Sequence, residues 1–495
     1  MITEVTAMEH DNRFRRTHPY SLLRHFKIYA VLLVLTLVQQ ILLRPDELVA
    51  YIGSLGLNAF YVLSVLFYFI SDYTNRVCRM TGTGFEVKSG ILLKRQYTIP
   101  YSKMCSAMFY SNIICYLFNA ERVSVDTAGG VRKKYDFSAY FSRKKASDVR
   151  DFIEGEKEPT FVFRSRIISI ILMSAVWANP VTGIIFIVPV ISNVSQIVGS
   201  DTAQRIIRSS IDQQWKVIAM WISPAAALLA AVILLSWAIS MLNVFLRYVR
   251  FRSVRLGDYI ITSKGLITRT KSYKRVSCIS SVSVDQSLFM KLLKLKSCSV
   301  TVIGAGRQKG DRSLLFSADS YDKVQNGMTD ITGIPNEEIS VVRREKNSLF
   351  SYVYYPLILF AVLMTLILLS YRIRLITGSV RLLLYIFLFI AIWWLMFRMF
   401  AYFHSRIAVN DKCLIVCTFH RMTLKKHYIP FDMIQYVEIN HSPFQKRKNK
   451  CTMIVSIYSE NKRSVKIKQL PRKAAIELLN SRNIAVIGAV GGTFP

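Results

Sequence analysis

The chain has 495 residues, with 65 Lys and Arg against 31 Asp and Glu for a formal net charge of +34. Hydrophobic residues make up 52% and mean hydropathy is +0.31. That length exceeds one ordinary domain. Excess basic charge points to nucleic acid when it sits in a soluble domain, but here the apolar residues are gathered in long uncharged runs, which disfavours that class.

In chain order, residues 1–25 form a basic amino-terminal segment. The apolar run Ile28–Leu43 follows without a small-residue cleavage site, so it reads as a retained anchor rather than a signal peptide. After the turn Arg44–Glu47, the run Leu48–Ser71 returns, making 26–72 the first membrane pair and 73–158 a β-rich domain. A second pair is placed at 165–247, with runs Ile167–Ser192 and Val217–Leu246 around an outer loop at 193–216, and a second β-rich domain at 248–345. The third pair, 350–402, holds Tyr352–Tyr371 and Leu382–Phe397; a third domain at 403–486 and a tail at 487–495 complete the chain. Judged against about 20 residues per helical crossing, these runs predict an α-helical polytopic membrane protein with six transmembrane helices in three pairs. Arg13, Arg15, Arg16, Arg24 and Lys27, then Arg164, Arg166, Arg247, Arg250, Arg343 and Arg344, place both termini and all three β-rich domains in the cytoplasm, although Arg372, Arg374 and Arg381 vote the other way.

The three domains echo one another. An offset of 330 lays Ile99-Pro100 on Ile429-Pro430 and Arg76 on Arg406, and an offset of 175 lays Gly90 on Gly265 and Val125 on Val300. The period is that of an internal repeat in which two apolar runs precede one domain. Within a copy, "FEVKSGILLKRQYTI" and "YIITSKGLITRT" alternate apolar and polar residues around Ser89-Gly90 and Lys264-Gly265 and read as hairpins. A further strand ("MCSAMFYS"), a short apolar stretch ("NIICYLF"), another strand ("RVSVDTAGG") and a helical tail follow. Six or seven strands and a closing helix fit a small barrel.

The order G-I-L-x-(R/K), I-P-x-x-(K/R)-(I/M), then a strand ending T-A-G-G, resembles the bacterial pleckstrin-homology (PH)-like domain, and the three-copy layout resembles the YdbT-like membrane proteins. The second copy departs from the pattern with Lys274-Arg275 in place of Ile-Pro, and the third has His420 where the first has its turn glycine. The resemblance implies three PH-like β-barrels each with a carboxy-terminal helix, attachment to a bacterial plasma membrane, and a smaller two-span relative as partner; it implies no settled activity.

Basic residues crowd the domain loops: Lys94, Arg95, Arg132, Lys133 and Lys134 in the first copy, Arg269, Lys271, Lys274 and Arg275 in the second, and Lys425, Lys426, Lys446, Arg447 and Lys448 in the third. They read either as a solvated face or as contacts to anionic lipid head groups, which attract each nearby Lys or Arg by about 1 kcal/mol. "VIGAGRQKG" (Val302–Gly310) lacks the dinucleotide spacing and reads as a hairpin turn. The eight cysteines form no C-x-x-C and suit reduced thiols; Cys413 and Cys417 are a faint metal hint only. No metal, cofactor, nucleic-acid partner or catalytic constellation is expected. The function expected is a non-enzymatic membrane scaffold or envelope-protection protein. It would work by contact with the anionic inner leaflet or with a partner membrane protein. The rival is a translocator of lipid or small solutes using spans kinked at Asn179-Pro180 and Ser223-Pro224.

Overall fold

The computed structural model describes residues 14–23, 31, 34, 48–81, 83–91, 93–129, 135–155, 157–179, 224–303, 313–343, 348–372, 378–420, 422–459, 464–482, 484 and 486–488. The first copy comprises β1 (Arg15–Arg16), α1 (Tyr20–Leu23), α2 (Leu48–Asn75), β2 (Val77–Thr81), β3 (Gly84–Ser89), β4 (Arg95–Pro100), β5 (Met104–Ser111), α3 (Ile113–Leu117), β6 (Ala120–Thr127), β7 (Phe137–Ser142) and α4 (Arg143–Glu154). The second runs β8 (Phe161–Arg164), α5 (Ile167–Trp177), α6 (Pro224–Tyr248), β9 (Arg252–Leu256), β10 (Tyr259–Lys264), β11 (Arg269–Arg275), β12 (Ile279–Ser287), α7 (Leu288–Leu292), β13 (Leu295–Val302), β14 (Leu314–Ser320) and α8 (Tyr321–Thr332). The third runs β15 (Ser340–Val342), α9 (Leu349–Arg372), α10 (Gly378–His404), β16 (Arg406–Val409), β17 (Cys413–His420), β18 (Thr423–Pro430), β19 (Ile434–Asn440), α11 (Pro443–Arg447), β20 (Lys450–Ile457), β21 (Ser464–Pro471), α12 (Arg472–Asn480) and β22 (Val486–Gly488).

Three helices among the described residues are long and apolar enough to cross a membrane, over Ala231–Tyr248, Tyr352–Arg372 and Leu383–His404. This corrects the six-span expectation: the described chain is a mixed helix and sheet fold with three such helices. Ile28–Leu43 lies outside the described residues apart from Val31 and Val34. α5 has 11 residues, roughly 16 Å at 1.5 Å per residue and so short of the ~30 Å hydrocarbon core. α2 is 28 residues long, and its side chains are described without a break over residues 59–75.

The expectation of one self-contained barrel after each apolar pair also needs correction. Each copy begins with a short strand placed before its apolar segment, since β1 pairs with β2, β8 with β9 and β15 with β16. More consequentially, two seven-stranded sheets cross the copy boundaries, in the orders β7-β6-β5-β11-β10-β9-β8 and β14-β13-β12-β18-β17-β16-β15. The outermost hairpin strand of copies two and three thus completes the sheet of the copy before. An open strand edge leaves a row of backbone N–H and C=O groups unsatisfied, and this pairing answers them. At the end of the array, β22 lies parallel to β19 in the place a fourth copy would take.

The cores follow the same logic. The first contains Phe85, Val87, Met104 and Phe109 together with Ile261 and Tyr273 from copy two. The second contains Ile260, Val282 and Phe316 together with Ile415, Cys417 and Tyr428 from copy three. Strand β17 ("CLIVCTFH") is therefore buried on both faces, with Leu414 and Val416 in the third core and Cys413, Ile415 and Cys417 in the second. That explains its unbroken apolar run. Strand β3 has no copy before it and keeps strict alternation, with Phe85 and Val87 inward and Glu86 and Lys88 outward.

Local chemistry repeats as well. A 3₁₀ turn follows the hairpin in every copy, at Tyr101–Lys103, Val276–Cys278 and Phe431–Met433. Arg275 opens the second with φ −74°, close to the −65° of Pro100, so losing Ile-Pro there leaves the turn intact. Gly90 and Gly265 hold φ of +119° and +96° in their hairpins, where a Cβ would meet the carbonyl oxygens of Leu93 and Thr268 at 2.0 Å. The third copy solves the same turn with Met422 at φ +62°.

Candidate functional site: copy junctions and a membrane-root surface

At the first junction, β11 pairs antiparallel with β5, Tyr273 opposite Ala107 and Lys271 opposite Phe109. The Glu154 carboxylate, at the end of α4, accepts hydrogen bonds from Tyr273 Oη and Lys271 Nζ. Burial pushes that carboxyl's pKa upward, but the Lys271 and Tyr273 hydrogen bonds outweigh it and hold it below the ordinary range. Arg275 donates to the Ser102 carbonyl. Cys105 and Cys278 are joined as a disulfide with Cα atoms 5.6 Å apart. The second junction repeats the scheme one copy later: Tyr428 Oη donates to Asn336 Oδ1, Lys426 Nζ lies 2.9 Å from Glu338 Oε1, and Lys425 Nζ is 3.8 Å from Asp285.

A second surface forms where the hairpin tips meet the roots of the apolar helices. The β10–β11 hairpin is tied to the end of α6 by Gly265 N–H to the Val249 carbonyl and Leu266 N–H to the Leu246 carbonyl. In the third copy, Phe419 of the corresponding hairpin packs on Phe397 and Phe400 of α10. Leu266 and Ile267 are exposed there, as is Leu93, at 74%, on the first copy's tip. Lys94, Arg95 and Arg269 stand exposed beside them on the same tips.

A family model described as a bacterial PH domain matches residues 26–157, 183–346 and 353–483. The chain belongs to the bacterial PH domain family. Each match takes in apolar segments together with the β-rich domain that follows, so the repeated PH unit includes both. No curated protein matches the chain.

The basic residues singled out from the sequence therefore divide. Lys271, Lys274, Arg275, Lys425 and Lys426 lie on the junction strands between PH units, Lys274 being buried there. Lys94, Arg95, Arg269, Lys446, Arg447 and Lys448 are exposed. Arg132, Lys133 and Lys134 lie outside the described residues, as do Pro180 and Ser223. Asn179 follows the end of α5 and its N–H donates to Ser240 Oγ at 2.9 Å, and Pro224 is the first described residue of α6.

Three features escaped the sequence reading. The Cys105–Cys278 disulfide contrasts with the reduced thiols expected; the other six cysteines are buried, and burial pushes the Cys78, Cys413 and Cys451 thiols up to about 11. The acidic partners Glu154 and Glu338 were passed over because they recur at junctions, not within a copy. Last are the short helices α3, α7 and α11, capped by Asn112, Ser287 and Ser442. Each ends at a left-handed residue, Asn119, Lys294 or Asn449. An Asn/Ser cap followed seven places on by Asn or Lys was the signal available. The Gly-rich stretch after β13 lies mostly outside the described residues; β13 and β14 on either side of it pair antiparallel.

Proposed function

We propose that this bacterial PH-domain protein is a membrane-bound, non-enzymatic scaffold. Its three PH units are fused into one rigid array that rests on anionic lipid. The observation carrying this reading is the pairing of exposed Lys94, Arg95 and Arg269 with exposed Leu93, Leu266 and Ile267 on hairpin tips, one of them bonded to the root of a membrane-length helix. Cations at that level lie within a Debye length of head-group phosphates, where each contributes about 1 kcal/mol. Lys446, Arg447 and Lys448 give the third unit the same character.

The basic residues flanking the apolar runs favour a cytoplasmic face for the array. The disulfide pulls the other way, because such bonds are rare in a reducing cytosol; the thiol state of Cys105 and Cys278 in cells therefore reports on the compartment. A test of lipid contact is to extract the full chain into nanodiscs of mixed neutral and anionic lipid and count co-purifying anionic lipids. The combined variant K94Q/R95Q/R269Q retains fewer of them if the reading holds. An unchanged lipid complement would overturn it.

A further inference from the structure

We infer that α3 and α7 are lipid-inserted elements that dip into the leaflet at the foot of the membrane-length helices, an inference that rests on the membrane-bound reading above. A helix of five residues in a soluble domain normally buries its apolar side chains. α3 does the opposite: Ile113, Ile114, Tyr116 and Leu117 all point outward, Leu117 being 78% exposed. Only Cys115 turns inward, onto Tyr20 and Tyr140. α7 repeats the pattern, with Met290 buried while Phe289 and Leu292 project, Leu292 at 80%. Two equivalent helices in two copies, each exposing large apolar groups, form patches of the kind that mark an interaction surface.

Position identifies the occupant as lipid. Tyr20, against which α3 packs, belongs to α1, which together with the Phe69–Arg76 end of α2 lines one small pocket. On its other side α3 adjoins β5, whose Ser111 pairs with Arg269 at the hairpin rooted on α6. For α7, Lys291 Nζ lies 3.3 Å from His404 Nε2 at the last residue of α10, and Leu288 N–H donates to Met422 in the hairpin packed on that helix. Both patches therefore sit at the level where chains of mean hydropathy 2.1 (α10) and 1.6 (α6) end. That is the bilayer interface, where a small apolar projection enters the acyl boundary while flanking cations and tyrosines stay among head groups. Arg143, stacked 3.8 Å over the Tyr116 ring, is such a flank. In the third copy Arg447 of α11 stands where Leu117 and Leu292 project, so insertion belongs to the first two units and head-group contact to the third.

The test is spin labelling of the full chain in nanodiscs of neutral lipid, with Leu117→Cys and Leu292→Cys as probe sites and exposed Asp148→Cys on α4 as the aqueous control. Relaxation by oxygen and by a water-soluble nickel chelate is compared at each site. Insertion predicts strong oxygen and weak nickel access at 117 and 292, and at least a tenfold higher nickel-to-oxygen ratio at 148. Nickel access at 117 and 292 equal to that at 148 would overturn the inference. So would exclusion of both reagents, which would mean a protein contact. Neutral lipid keeps the outcomes separable: insertion with no anionic enrichment would remove head-group attraction and leave the inference standing, and enrichment without insertion would do the reverse.

Discussion

Glu154 and Tyr273 stand in two different copies of the repeat, yet the carboxylate of the first accepts a hydrogen bond from the phenol of the second, tying a closing helix to the sheet of the next unit. Removing the hydroxyl with Tyr273→Phe leaves the ring packed and costs about 1.5–3 kcal/mol, the ordinary worth of a hydrogen bond to a charged group. Thermal unfolding of the purified chain checks the figure. Lys271→Met should be milder, since the Lys271 side chain is 34% exposed and its ion pair is screened by solvent, whereas Tyr273 is fully buried.

The same carboxylate sets an acid limit. Its folded pKa lies below its ordinary value of 4.5, so the stability it contributes is present above that value and is lost as the pH falls through the depressed one. Unfolding midpoints measured from pH 6 downward should therefore drop more steeply for the wild type than for Glu154→Gln, which begins lower and stays flatter.

Joining Cys105 to Cys278 closes a loop of 173 residues. Loop-closure entropy alone would place its contribution near 5 kcal/mol. Cys105→Ser should lower the unfolding temperature of the oxidised protein and leave that of the reduced protein nearly unchanged. Non-reducing electrophoresis of wild type, compared with the variant, reads the bond directly.

Both ends of the array are closed to further copies by different means. On the first unit, Glu86 and Thr98 face each other where copy two has Ile261 and Tyr273 and copy three has Ile415 and Tyr428. Glu86 accepts Arg79 at 2.7 Å, which makes that face a solvated terminal cap of the kind repeat arrays need. At the other end β22 covers β19. Deleting residues 486–488 together with Glu86→Ile and Thr98→Tyr should give concentration-dependent head-to-tail association, detectable by light scattering, whereas wild type should show none. Conversely, Ile261→Glu buries an unpaired carboxylate in the first core and should cost about 3 kcal/mol or more.

Much of this fold is written locally. The alternation in "FEVKSGILLKRQYTI", the Ser-Gly turn and the amphipathic tails specify hairpins and closing helices because each depends on neighbours in sequence. The sheets that cross between copies depend on residues 136 to 168 positions apart, so they leave no periodic trace. Their one signature is a change of pattern: β17 reads as a continuous apolar run where β3 alternates. Lys271, Lys274, Arg275, Lys425 and Lys426, five of the fourteen basic residues considered for lipid contact, stand on these shared strands, a placement hidden in the sequence for the same reason. Lys271 and Lys426 look like solvated cations in sequence, and only the fold brings Glu154 and Glu338 to them. The six-run count differs for another reason: three helices among the described residues have the length and hydropathy of a crossing, and Ile28–Leu43 lies outside those residues apart from Val31 and Val34.

The claim on which the rest depends is that PH units share sheets across copy boundaries. Ser283 of β12 and His427 of β18 are direct cross-strand neighbours from different units. Facing residues in such a pair have Cβ atoms about 5 Å apart, so cysteines placed at both positions in the full chain should form a crosslinked peptide on mild oxidation in native membranes, as readily as a pair at Thr418 and Lys425 within one hairpin. Crosslinking of the Thr418–Lys425 pair with none between positions 283 and 427 would show the units to be separate barrels, and the shared-sheet array would fall.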